Sequence, residues 1–204
     1  MTSAPADGTH REIVLVRHAT TVDTRAGLLS GHEPTPLDER GRRQAAAIGR
    51  RGGDRPFGSV LVSPVERARE TAVRAGLGPD AELVDELAEW RYGDLGGRRS
   101  ADVRAEDPDW ALWTHGAPGG ESPAAVADRV GAVVARLQAA DADVVVVSHG
   151  HVLRALIVTW LGLPLAEAGA LVLDPASVSV LGERHGRSVV SALNDRSHLP
   201  PDAI

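Results

Sequence analysis

Val144-Val145-Val146-Val147-Ser148-His149-Gly150-His151 sets four β-branched residues in a row against a polar cluster. An apolar run with no alternation fits a strand covered on both faces, as in the middle of a parallel sheet. Immediately behind it, Val152, Leu153, Leu156, Ile157, Trp160 and Leu161 mark one face of a helix, and in front Val126, Val130, Val133, Val134 and Leu137 mark another. The same handover recurs toward the amino terminus. Ile13-Val14-Leu15-Val16 ends at Arg17-His18, a polar loop containing Gly and Pro follows, and Asp38 can cap a helix through Gln44, Ala47 and Ile48. Ser59-Val60-Leu61-Val62 runs into Ser63-Pro64-Val65-Glu66, which has the form of a capping box with Pro at the first helical position. Leu83-Val84 reads as a short strand, and Ser177 to Leu181 with Ser188 to Leu193 as a closing pair. Alternating strands and helices predict an α/β fold, a three-layer αβα sandwich around a mostly parallel sheet.

The chain has 204 residues, enough for one medium domain, expected over residues 11–204 behind a frayed tail at 1–10. With 43% hydrophobic and 25% charged residues the composition is that of a globular protein. There is no cysteine, which excludes disulfides, thiolate metal sites and cysteine nucleophiles. The net charge of -6 argues against nucleic-acid and anionic-membrane partners. All 22 basic residues are Arg, which rules out Schiff-base and P-loop chemistry because both need lysine. No stretch is apolar for long enough to span a bilayer, and Met1 to His10 lacks the pattern of a secretory signal, so the cytoplasm is the expected location.

In sheets of this kind ligands bind beyond the carboxyl ends of the strands. Three such ends carry Arg17-His18, Ser63 to Arg67, and Ser148-His149-Gly150-His151. Each one alone reads as a loop histidine or a solvated arginine; together they put several basic groups on one edge. Arg67 falls in the first helical turn, where the macrodipole disfavours a cation. It therefore calls for a carboxylate partner, with Glu66 and Glu70 the candidates, or for a bound anion such as phosphate, whose oxygens match a guanidinium fork. Two arginines and two histidines converging on a point describe a phosphoryl-transfer pocket.

Four blocks carry a resemblance: Leu15-Val16-Arg17-His18-Ala19-Thr20, Ser63-Pro64-Val65-Glu66-Arg67-Ala68, Leu87-Ala88-Glu89-Trp90-Arg91-Tyr92-Gly93 and Val147-Ser148-His149-Gly150. In this order they resemble the histidine phosphatase (phosphoglycerate mutase-like) superfamily over most of the chain. The segment from Glu89 to Ser122 and the Ser148-His149-Gly150-His151 run look most like the actinobacterial acid phosphatases of that superfamily.

The resemblance implies that His18 is the nucleophile, forming a phosphohistidine, and that Arg17, Arg67 and His149 hold the phosphoryl oxygens. It implies that Glu89 protonates the leaving alkoxide and then activates water, with a pKa raised by the nearby phosphate. Thr24 stands where the family usually has asparagine against phosphate, and Ser30 aligns with a pocket hydroxyl. Gly150 and His151 border the leaving-group side. Ala19 replaces the family's glycine, and Pro34 stands where many relatives carry aspartate.

The His149-x-His151 pair lacks the third and fourth ligands a metal needs, so no metal and no cofactor are expected. Trp90, Trp110, Trp113 and Tyr92 fit either the core or an aromatic wall facing substrate, and His115 and Glu121 are candidates for the same mouth.

The expected activity is a metal-independent phosphomonoesterase acting on a small phosphorylated substrate. Two alternatives stay open. One is a phosphoglycerate mutase, disfavoured by the short chain and the lack of lysine; the other is a non-catalytic phospho-ligand-binding module. The sequence leaves the physiological substrate and the oligomeric state undecided, with a homodimer one option.

Overall fold

In the computed structural model, which describes residues 11–52 and 57–203, four strands run parallel: β1 (Ile13–Arg17), β2 (Ser59–Val62), β3 (Ala81–Leu83) and β4 (Val144–Ser148). Strands β5 (Val178–Arg184) and β6 (Arg187–Asp195) extend the sheet as an antiparallel pair, giving the order β3-β2-β4-β1-β5-β6. Their two-residue connection, His185-Gly186, has positive φ at both positions (52° and 71°), the hairpin turn that matches strand twist. The tail expected over 1–10 lies outside the described residues. Among the described residues no helix is long and apolar enough to cross a membrane.

The four valines of β4 are buried on both sides because the sheet is covered twice. Val144 and Val146, with Ile13 and Leu15, pack toward α6 (Pro123–Gln138) and α7 (Gly150–Trp160). Val145 and Val147, with Val16 and Val62, pack toward α2 (Glu39–Gly52) and α3 (Glu66–Arg74). The period-2 alternation of side chains thus feeds two cores from one strand. Helix α7 is apolar nearly all round, since Ala155 and Val158 are buried along with the expected face. At ~25 cal/mol per Å² of apolar surface, these two layers supply the bulk of the driving force for folding.

Local signals explain some of the helix starts. Asp38 Oδ1 accepts the Gly41 N–H at 2.7 Å at the head of α2, and Ser122 caps α6 ahead of Pro123. Gly41 also lets α2 lie against the loop after β1, because a Cβ there would stand 2.0 Å from the Thr20 carbonyl oxygen. Two expectations are corrected. The capping box at Ser63–Glu66 does not form: α3 starts at Glu66 with Val65 as its uncapped N-cap. The Ser63 hydroxyl is turned to another partner, described below. The stretch after His18 is not all loop either, since α1 (Val22–Ala26) forms there on a reciprocal Thr21/Thr24 cap. Between β3 and α6 the chain is mostly irregular, with short helices α4 (Ser100–Glu106) and α5 (Leu112–His115).

Candidate active site

His18 is the first residue past β1, and its N–H donates to the Ser148 carbonyl at 2.8 Å, so the sheet ladder continues one residue into the site. Its side chain is buried. The Nδ1–H donates to the Ala19 carbonyl at 2.8 Å, which leaves Nε2 as the lone-pair nitrogen, and Nε2 accepts from Arg67 Nε at 3.2 Å. Burial, reinforced by the guanidiniums of Arg67 and Arg17 and by His149, holds the imidazole well below its usual range. The ring is therefore neutral, the form in which an imidazole can attack an electrophile.

Arg67 is buried in the first turn of α3 and has no carboxylate in hydrogen-bonding contact. Its Nη2 donates to the carbonyls of Ser30 and Gly31, both at 2.8 Å, and its Nη1 has no partner. Glu70 is occupied elsewhere, accepting from the Leu37 N–H and from Arg42 and Arg74. Arg17 donates through Nη1 to the Leu173 carbonyl and keeps Nε unpaired. Gly150 leaves it room: a Cβ at that position would come within 3.2 Å of Arg17 Cζ and Nε.

His149 is the N-cap of α7 and is fully buried, its ring 5.1 Å from that of His18. Ser63 Oγ lies 2.7 Å from His149 Nε2 and accepts the Val65 N–H at 3.2 Å. The buried hydroxyl has no other acceptor among the described residues, so its proton goes to Nε2, and His149 carries its own hydrogen on Nδ1. This Nδ1 is buried without a partner. Burial and the cations Arg67 and Arg17 keep the ring neutral. Arg17 Nε, Arg67 Nη1 and His149 Nδ1 are thus three buried donors beside His18 without a partner among the described residues, and buried donors are seldom left so.

Glu89 is buried, which removes the alternative of an exposed carboxylate. Its Oε1 accepts the Trp90 N–H at 2.9 Å and the Val152 N–H at 3.3 Å, and Oε2 accepts the His151 N–H at 3.4 Å. The carboxylate therefore seats on the amino terminus of α7. Within the protein alone burial pushes its pKa up, but His151, His149 and the Trp90 N–H outweigh burial and hold it well below the usual carboxylate range. The backbone of Glu89 is fixed as well, its carbonyl accepting from His32 Nε2 at 2.8 Å.

Other expected positions fall on either side of the site. His151, in the first turn of α7, is partly exposed, with Nδ1 2.6 Å from the buried Tyr92 hydroxyl. The Thr24 hydroxyl is committed to the α1 cap, bonded to the N–H and carbonyl of Thr21, and the Ser30 hydroxyl donates to Asp23 Oδ2 at 2.7 Å. Neither hydroxyl is aimed at the pocket in this structure. Trp90, Trp113 and Tyr92 belong to the core, and Trp110 packs on its edge. His115 is exposed at the end of α5. Glu121 is buried and pairs with Arg129 Nε at 2.9 Å. Arg129 in turn donates to the carbonyls of Glu86 and Ala88, bracing the segment that carries Glu89.

Two of these residues lack a sequence signal, because His32 and Arg129 act through contacts distant along the chain. Ser63 and Ser148 share one hint, a hydroxyl directly after a buried strand; Ser148 Oγ donates to the Leu87 carbonyl at 2.7 Å.

A neutral imidazole, one buried and one half-buried guanidinium and a carboxylate at the carboxyl edge of a parallel sheet define an α/β enzyme that handles a small anion. Residues 13–196 match the histidine phosphatase superfamily (branch 1). The chain is 38% identical to an acid phosphatase of Mycobacterium tuberculosis, over 95% of this chain and 97% of that one. It is 34% identical to an adenosylcobalamin/alpha-ribazole phosphatase of Salmonella typhimurium, over 92% and 98%. The solved structure of a Mycobacterium tuberculosis open reading frame superposes with a TM-score of 0.85 at 37% identity, covering 90% of this chain and 97% of that one. The chain belongs to the histidine phosphatase superfamily and is a phosphatase of that superfamily.

Proposed function

We propose that the protein is a metal-independent phosphomonoesterase that works through a phosphohistidine on His18. The observation that carries this reading is the set of three unpartnered buried donors, Arg17 Nε, Arg67 Nη1 and His149 Nδ1, around a neutral imidazole. A phosphoryl group supplies the acceptor oxygens these donors need. Their positive charge supplies the electrostatic stabilisation that dominates phosphoryl transfer.

In the first step His18 Nε2 attacks phosphorus in line, the P–O bond to the alcohol breaks, and Glu89 gives its proton to the departing oxygen. Glu89 is ionised on its own, so it must gain that proton as the substrate binds. The incoming dianion raises its pKa and offsets the imidazoles that lower it. In the second step Glu89 takes a proton from water as water attacks phosphorus, releasing inorganic phosphate and restoring the imidazole. Nδ1 keeps its hydrogen bond to the Ala19 carbonyl throughout, which stabilises the positive charge the ring carries while phosphorylated.

The test is a rapid quench with a radiolabelled phosphomonoester in the presence of EDTA. The wild-type protein should trap label that is lost in acid and kept in alkali, and His18→Ala should trap none and lose turnover. Full activity in His18→Ala, or activity abolished by EDTA, contradicts the proposal. Assaying 3-phosphoglycerate with and without 2,3-bisphosphoglycerate tests the mutase alternative, and tight phosphate binding without turnover of any ester would favour the binding module.

A further inference from the structure

Arg154 lies one turn beyond His151 on α7, at the i+3 spacing that puts two side chains on one helix face. Its guanidinium carbon sits 4.7 Å above the Trp113 ring, and the same ring lies 5.4 Å from the imidazole of His151. Nε donates to the Ala168 carbonyl at 2.9 Å, and Nη2 reaches the Gly169 carbonyl at 3.5 Å. No carboxylate pairs with Arg154 among the described residues, and Nη1 has no hydrogen-bond partner among them.

A half-buried guanidinium held over an indole and tied to a backbone carbonyl loses little freedom when it binds. The charges around it are unbalanced. Glu89 attracts it, but that carboxylate is already satisfied by the N–H groups of α7, while Arg17 and Arg104 repel it. Burial, the largest influence, pushes its pKa down, and the repulsion adds to that.

In-line attack by His18 sends the leaving oxygen toward Glu89, whose Oε2 lies against the His151 N–H. The alcohol portion of the substrate must then extend over the first turns of α7, past His151 toward Arg154. We propose that Arg154, set on Trp113 beside His151, forms a subsite for a second anionic group on that alcohol portion, so the preferred esters carry a carboxylate or a second phosphate. This inference rests on the phosphatase reading of the same site.

The test compares matched esters. 3-Phosphoglycerate against glycerol 3-phosphate isolates a carboxylate, and fructose 1,6-bisphosphate against fructose 6-phosphate isolates a second phosphate. The doubly anionic member of at least one pair should have a kcat/KM about tenfold higher, and Arg154→Gln should bring that ratio close to one through KM. The pair that responds identifies the anion. Glutamine keeps a donor for the Ala168 carbonyl, and a purely structural role would lower both members of a pair together and leave the ratio intact. A wild-type ratio near one in both pairs, or a ratio unchanged in Arg154→Gln, overturns the subsite. Should Arg154→Gln not fold, Arg154→Lys takes its place and must shrink the ratio, because an ammonium cannot stack and fork as the guanidinium does. Failure of the phosphatase reading itself would look different: none of the four esters would turn over.

Discussion

Ser63 Oγ and His149 Nε2, 86 residues apart in sequence, meet at 2.7 Å and fix which nitrogen of the second histidine carries hydrogen. The serine hydroxyl has no other acceptor among the described residues, so it donates to His149 and leaves the ring hydrogen on Nδ1. Ser63→Ala removes this tautomer lock without touching substrate. We expect kcat/KM to fall about 10- to 100-fold, as for loss of an outer-shell partner, with little change in melting temperature. Nitrogen NMR of His149 should show mixed tautomers in the variant, and a single Nδ1–H form there would refute the assignment.

Glu89→Gln tests general acid catalysis. Loss of a positioned proton donor lowers the rate by ~10²–10⁴ for an alkyl phosphate, whose alkoxide leaves poorly. For p-nitrophenyl phosphate, whose phenolate needs no proton, the first step should be far less affected. An equal loss of kcat/KM, which reports the first step, on both substrates would mean that Glu89 does not protonate the leaving group.

The depressed pKa values make stability fall on acidification. His18 and His149 ionise near pH 6.5 in the unfolded chain but resist protonation when folded. Below that pH the unfolded state binds more protons, so stability declines as pH falls, by at most about 2 kcal/mol per imidazole between pH 6.5 and 5. Above pH 6.5 the two rings contribute no pH dependence. Glu89, also depressed, stabilises fully above its unfolded value and loses that contribution as pH drops below about 4.3. Calorimetry from pH 8 to 4 should show a plateau and then a falling melting temperature, with the decline between pH 6.5 and 5 shallower in His18→Asn. A melting temperature that rises over that interval would contradict the burial of neutral rings.

Arg129→Ala should be costly for a different reason. It leaves the Glu121 carboxylate buried without its partner, a change worth roughly 3–5 kcal/mol. It also frees the carbonyls of Glu86 and Ala88. Denaturant unfolding should report the stability loss. Glu121→Gln, which keeps hydrogen-bonding capacity, should lose less. Comparable stability in Arg129→Ala and wild type would show the pair to be dispensable.

The sheet was legible because its strands are short apolar runs and its helices keep their period. Ile13 to Val16 and Val144 to Val147 announce buried strands on composition alone. The basic edge could be read as well, since Arg17 closes β1, His18 and His149 directly follow β1 and β4, and Arg67 opens the helix after β2. The hydroxyls of Thr24, Ser30 and Ser63 were not legible. A hydroxyl has several competing partners, and whether it caps a helix, bonds a carboxylate or orients an imidazole depends on which group tertiary packing brings near. The same limit hid the seat of Glu89: nothing around residue 89 reveals that the helix beginning at Gly150 will offer it two N–H groups.

The place of β1 has a consequence for biosynthesis. This strand leaves the ribosome first, yet both of its neighbours, β4 and β5, come from the last third of the chain. Both edges of β1 stay unpaired until about residue 148 has emerged. During that interval the nascent protein exposes two bare strand edges next to the future nucleophile, and a chaperone that shields extended apolar segments would find its binding site there.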